Sequence, residues 1–215
     1  IALYATLALR GFFPVEELDT FDEIDSRLQG HPDMTRTPGL DMSTGSLGQG
    51  LSPGVGMALG ARLLGKDFHT WVMLGDGEIQ EGQIWEAAFV AERYRLDNLT
   101  AILDYNGLQQ YGWTSAVLNG KRSPRMSIED PRRLWEAWGW NVLEMNGHDV
   151  GEILHTCRQA LSFRGQGKPT IIISHSVKGK GVSFMENDYN WHSKVLTDED
   201  YARAMADLER PLGGA

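Results

Sequence analysis

The sequence predicts an α/β fold, a doubly wound and mainly parallel sheet with helices on both faces. Apolar runs of strand length recur at residues 71–74, 99–103, 140–145 and 169–174. Segments with apolar residues at the helical period alternate with them, at 81–95, 131–138, 150–164 and 198–210. The stretch 71–103 has the size of one βαβ unit.

In chain order, residues 1–10 read as an amphipathic helix closed by Gly11. Residues 12–46 carry Pro14, Pro32 and Pro38 and one helical candidate at 15–28; so long an irregular stretch is often functional. Residues 47–65 are expected to be helical, with Leu47, Leu51, Val55, Leu59 and Leu63 on one stripe. The glycines inside it cost helix stability, so a tight approach by another backbone is expected to compensate. Residues 71–74 are expected to form a short buried strand. The helix at 81–95 should bury Ile84, Trp85, Ala88 and Phe89. After the strand at 99–103, Pro131 follows Asp130 as helices often begin. The helix at 150–164 keeps its period through Ile153, Leu154, Cys157, Ala160 and Leu161, with Asp149 as its cap and His148 beside it in a structural role.

The composition narrows the function. The 215 residues allow a substantial core, with 41% hydrophobic and 23% charged residues. No apolar stretch reaches the length of a membrane span, and no signal-peptide pattern is present. Cys157 is the single cysteine, which excludes an internal disulfide and points to a reducing, cytoplasmic setting. The net charge of −9 argues against nucleic-acid binding but not against a local pocket for a small anion.

Chemistry concentrates where strands end. Gly75-Asp76-Gly77 follows one apolar run, and Asp104-Tyr105-Asn106 follows the next. Ligands of open α/β sheets bind outside the carboxyl ends of strands. The βαβ spacing can bring Asp76 and Asn106 to one edge. A carboxylate and an amide oxygen are hard donors suited to Mg²⁺ or Ca²⁺, and Mg²⁺ commonly completes its shell with substrate phosphates. Gly75 and Gly77 would let a diphosphate approach the main chain, with the dipole of the helix starting near Glu81 in support. Taken singly, Gly-Asp-Gly is a common turn and an Asn after a strand a common turn residue.

The combined pattern of strand, Gly-Asp-Gly, Glu-Gly, helix, strand and Asp-Tyr-Asn-Gly resembles the thiamine diphosphate motif, and more closely the N-terminal domain of transketolase. That resemblance implies metal ligation by Asp76, Asn106 and the carbonyl of Leu108. Gly30-His31-Pro32-Asp33 resembles the segment whose histidine meets the donor sugar, and Thr44 to Gly50 the turn whose main chain at Gly45, Ser46 and Leu47 cradles the thiamine. Lys178-Gly179-Lys180-Gly181 with Trp191-His192 resembles the late active-site loop, with Lys178 and His192 facing diphosphate and substrate. His31 and His192 are thereby the implied catalytic residues, and Glu81 the glutamate linking active sites across the interface between subunits.

The resemblance covers most of the chain as a single diphosphate-binding domain, residues 1–215, apparently truncated at its N-terminus. No segment resembles the pyrimidine-binding half. The implied protein is one subunit of a split thiamine-diphosphate-dependent transketolase, inactive without a pyrimidine-domain partner. It would move a two-carbon ketol group between sugar phosphates, in a homodimer or heterotetramer. A deoxyxylulose-phosphate synthase, a 2-oxo-acid dehydrogenase and a non-catalytic partner half are the alternatives. Dinucleotide binding is disfavoured because no Gly-rich fingerprint follows an early strand.

Overall fold

The computed structural model describes residues 1–109 and 130–209, together with the backbone of residues 117–118 and 121–122. It divides into two compact units, Ile1–Gly50 and Leu51–Ala215.

In the first unit, helix α1 (Ala2–Leu9) buries Tyr4, Leu7 and Ala8 against Phe13 and Leu28. Gly11, at φ +82°, ends it as expected, its N–H donating to the carbonyl of Ala8 at 2.8 Å. The helix expected at 15–28 is only a 3₁₀ segment, Val15–Thr20. Side chains compete with the helical ladder there: Thr20 Oγ1 bonds the Glu17 carbonyl at 2.8 Å and Ser26 Oγ at 2.8 Å. The chain then passes through the left-handed region at Asp22 and Asp25.

The second unit is built on a parallel sheet in the order β1-β2-β6-β5: β1 (Thr70–Gly75), β2 (Leu99–Tyr105), β5 (Asn141–Asn146) and β6 (Thr170–His175). A separate antiparallel pair is formed by β3 (Val117–Leu118) and β4 (Lys121–Arg122). Helices α2 (Leu51–Leu63), α3 (Gly82–Arg93), α4 (Pro131–Ala137), α5 (Val150–Ser162) and α6 (Asp198–Leu208) complete it. The expected end of α6 at Arg210 lies outside the described residues.

Both faces of the sheet are covered, and side-chain alternation shows how. Ala101, Leu103, Ile171 and Ile173 join one core with residues of α2, α3 and α4. The intervening Ile102 and Ile172 point the other way, into a core with Ala160 and Cys157 of α5. The central strands β2 and β6 are apolar on both faces, and β5 adds Val142 to one core and Leu143 and Met145 to the other. β1 is an edge strand: Leu74 is buried, while Trp71 and Met73 are exposed, contrary to the expectation of a fully buried run. On α3 the buried face is Ile84, Ala87, Ala88 and Ala91, and Phe89 is exposed. On α2 the stripe holds for Leu51 and Val55 and fails at Leu63, which is exposed. Close approach is required at Gly54, where a Cβ would lie 2.5 Å from Val72 Cγ2; Gly56 and Gly60 face open space. Of these three glycines, the expected compensation operates at Gly54, against a side chain rather than a backbone. Asp130 and Asp149 cap α4 and α5 as expected, accepting the N–H groups of Arg133 and Glu152 at 2.9 Å each.

Candidate functional site

The parallel register aligns Gly75 of β1 with Asp104 of β2, and Asp104 with Ser174 of β6. The carboxyl ends of three strands thus open on one edge, and Asp76, Asn106 and the segment after β6 leave from it.

Asp76 is 7% exposed. Its Oδ2 accepts the N–H of Gly107 at 2.6 Å, and the N–H groups of Gly77 and Asn106 also bond its carboxylate. Burial pushes its pKa up to about 6; those N–H groups oppose the rise, and nearby Asp104 adds to it. Among the described residues no basic side chain pairs with it. A buried carboxylate without a counter-charge is costly. A divalent cation would supply the missing charge.

Asn106 is held from both ends. Its Nδ2 donates to Asp104 Oδ2 at 2.9 Å, and its Oδ1 accepts the N–H of Leu108 at 2.9 Å. The first bond fixes which end of the amide is oxygen and directs that oxygen away from Asp104. Ser176 Oγ donates to the other oxygen of Asp104. Among the described residues no cluster of three or more His, Cys, Asp or Glu could hold a metal by itself. A hard cation can instead take one carboxylate, one amide oxygen and a main-chain carbonyl such as that of Leu108, with the remaining positions left to phosphate and water. The donor set present therefore fits the metal that the sequence implies.

The glycines flanking Asp76 differ. A Cβ at Gly77 would lie 3.0 Å from Gln109 Cβ, so that position is small for packing as well as for any ligand. At Gly75 there is room, and its N–H donates to Glu78 Oε2 at 3.0 Å. Glu81 is exposed and immediately precedes α3, without a side-chain capping bond.

Lys178 lies two residues beyond Ser176, half-buried in a tightly folded loop. Its carbonyl accepts the N–H of Asn187 at 3.1 Å, and Glu186 Oε1 accepts the N–H of Gly181 at 3.1 Å and pairs with Lys180 at 3.4 Å. His192 ends the 3₁₀ segment Tyr189–His192 and is exposed.

In the first unit, His31 lies on Gly45. A Cβ there would come within 2.0 Å of the imidazole, and Gly45 has φ +122°, so no other residue suits the position. Asp33 ties the two strips together: Oδ1 accepts from Thr35 N–H at 2.8 Å, Thr35 Oγ1 at 2.8 Å and Ser43 Oγ at 3.3 Å. The Thr35 backbone bond leads the causes that hold this carboxyl below the usual range. Gly45, Ser46 and Leu47 are exposed.

Two residues with a part in this geometry escaped sequence reasoning, Asp104 and Ser176. In the sequence Asp104 reads only as the residue that follows an apolar run, without a role, and Ser176 is given none. Only the register that lays β6 beside β2 makes them partners.

Comparison with known proteins gives the family. Residues 1–209 match the family described as "Transketolase, thiamine diphosphate binding domain". The chain belongs to the transketolase family. It is 46% identical over 211 residues to one of the subunits of apulose-4-phosphate transketolase from Phocaeicola vulgatus, covering 98% of this chain and 71% of that one. It is also 46% identical over 209 residues to the 6-deoxy-6-sulfo-D-fructose transketolase subunit SqwG of a Clostridium species, covering 97% and 72%. Among solved structures, transketolase from Leishmania mexicana superposes with a TM-score of 0.85 at 29% identity, covering 97% of this chain and 31% of that one. Transketolase from Campylobacter jejuni gives 0.82 at 31% identity, covering 96% and 32%. The chain thus spans about a third of the solved transketolases and most of the relatives named as subunits. No helix among the described residues is long and apolar enough to cross a membrane.

Proposed function

We propose that this chain is the diphosphate-binding subunit of a split transketolase, which binds thiamine diphosphate through Mg²⁺ or Ca²⁺ and works with a separate pyrimidine-domain subunit in the cytoplasm. The observation that carries this is the buried Asp76, without a counter-charge among the described residues, beside an Asn106 amide locked by Asp104. Relatives named as transketolase subunits match nearly the whole chain, which supports a partner on a second polypeptide. The family match runs through both compact units, which supports one diphosphate-binding domain. A homodimer of such pairs, a heterotetramer, follows from the same likeness.

When bound, thiamine diphosphate supplies the carbanion that takes up a two-carbon ketol group from a ketose phosphate. This chain's residues bind and orient. Asp76, Asn106 and the Leu108 carbonyl would hold the metal, and Lys178 would neutralise diphosphate charge. By likeness to the family, Gly45, Ser46 and Leu47 of the first unit would contact the thiamine. His31, braced on Gly45, and His192 would hydrogen-bond sugar oxygens and hold a proton there. Glu81 would reach the neighbouring subunit.

The test is reconstitution with the partner subunit. Ketol transfer between a ketose phosphate and an aldose phosphate should require both chains, thiamine diphosphate and a divalent ion. Activity independent of the cofactor, or pyruvate accepted in place of the ketose, would refute the assignment.

A further inference from the structure

We propose that His148, in the turn after β5, is a positioning residue that sets Lys178 toward the cofactor diphosphate; this rests on Lys178 being the diphosphate-facing cation. The exit of β6 runs His175, Ser176, Val177, Lys178, and the turn Asn146-Gly147-His148 grips it. Gly147 N–H donates to the His175 carbonyl at 2.8 Å. There is no room for a side chain at Gly147, where a Cβ would lie 2.5 Å from Ser174 Oγ and 3.2 Å from Ser176 Cβ. His148 Nε2 accepts the N–H of Val177 at 2.7 Å, one residue before Lys178. The turn holds itself in shape, since Asn146 Oδ1 accepts the N–H of His148 at 3.0 Å.

An imidazole nitrogen accepts a hydrogen bond only through its lone pair, so the ring carries its proton on Nδ1. On the far side of the same segment, Ser176 is tied to Asp104, and Asp104 to Asn106. The bracket at His148 and the metal-side amide at Asn106 are thus joined through one short piece of backbone. Beyond Lys178 the loop is closed again, because a Cβ at Gly179 would lie 2.6 Å from the backbone of Met185. Lys178 therefore leaves a main chain fixed both before and after it. The earlier constraint comes from a side chain on a different strand end, which is what residues supporting a ligand-binding group typically supply. A cap-side histidine with a purely local role would not need a ring nitrogen aimed at Val177.

The experiment uses the full-length chain assembled with its partner subunit. Magnesium pyrophosphate is titrated by calorimetry, and amide exchange is followed over residues 176–180, β2 and α5, in His148→Ala, His148→Gln and Lys178→Ala. His148→Ala should speed exchange at Val177 and weaken pyrophosphate binding about tenfold, with β2 and α5 unchanged. His148→Gln, whose amide oxygen can accept the same N–H, should restore both. Wild-type exchange and affinity in His148→Ala, or no recovery in His148→Gln, overturns the proposal, as does a parallel loss of protection in α5. Should Lys178→Ala bind pyrophosphate as tightly as the native chain, the role of Lys178 falls and the proposal with it. Should Lys178→Ala weaken binding while His148→Ala does not, only the proposal falls.

Discussion

The two edges of the sheet each hold a partly or wholly buried aspartate, and they treat it in opposite ways. At the amino edge, Asp97 precedes β2. Burial raises its pKa, but the N–H groups of Gly167 and Gly165, at 2.9 and 2.8 Å, and Arg62, at 2.6 Å, outweigh that and hold the carboxyl low. At the carboxyl edge, Asp76 has backbone N–H groups but no cation among the described residues, and burial carries its pKa up to about 6. One carboxylate is finished by its own chain and ties α2, β2 and the segment after α5 together. The other has no such partner among the described residues. A stability site completes its own electrostatics, and a deficit of this kind is what the proposed ligand site would use.

The strongest way to break this contrast is Asp76→Asn. It should weaken Mg²⁺-dependent thiamine diphosphate binding by at least about a hundredfold, beyond the usual cost of losing a mere supporting partner. The ion-free chain should melt no lower, since an unpaired buried charge is removed. Calorimetric titration beside a thermal melt checks both, and unchanged affinity would return Asp76 to the structural class.

Asp97→Asn should do the reverse, lowering unfolding free energy by about 2–3 kcal/mol at neutral pH, as expected for lost hydrogen bonds to a charged group, with cofactor affinity kept. The pH dependence has a definite sign. Because folding depresses this pKa, the stabilisation is present above the ordinary carboxylate value of about 3.9 and is lost as pH falls through the lower folded value. Urea unfolding of the native and variant chains should therefore converge in acid, and a constant gap would contradict the assignment.

Asp104→Asn sharpens the contrast within the carboxyl edge. An amide cannot accept from both Asn106 Nδ2 and Ser176 Oγ through two oxygens, so metal affinity should fall about tenfold. The same calorimetry reads it, and an unaltered isotherm would show that Asn106 orients itself.

The smallest effect is expected at the exposed Asp67–Arg164 pair near the amino edge. Asp67→Ala should change stability by less than about 1 kcal/mol, as surface pairs usually do. A larger loss in urea unfolding would mean that this edge depends on charge count rather than on the several donors meeting at Asp97.

Much of this was legible locally. The strand and helix periods, the Asp130 and Asp149 caps, and the thirty-residue spacing of Asp76 and Asn106 rest on near neighbours in sequence, and all produced elements within a few residues of those expected. The errors occurred where contacts outside the periodic pattern prevail. The 15–28 segment lost most of its helix to the side-chain bonds of Thr20, and Trp71 and Met73 lie exposed because β1 is an edge strand.

Short-range pattern in the chain was enough to set the alternation of strands and helices and the hard-donor pair at two strand ends, because periodicity and one βαβ unit are local properties. It took the packed fold to insert β6 between β2 and β5. No local pattern encodes strand order, which depends on which strands fill both cores at once; Ile171-Ile172-Ile173 does so with every residue buried. That insertion brings Ser176 to Asp104 and Val177 to His148, and so converts isolated polar residues into a connected site.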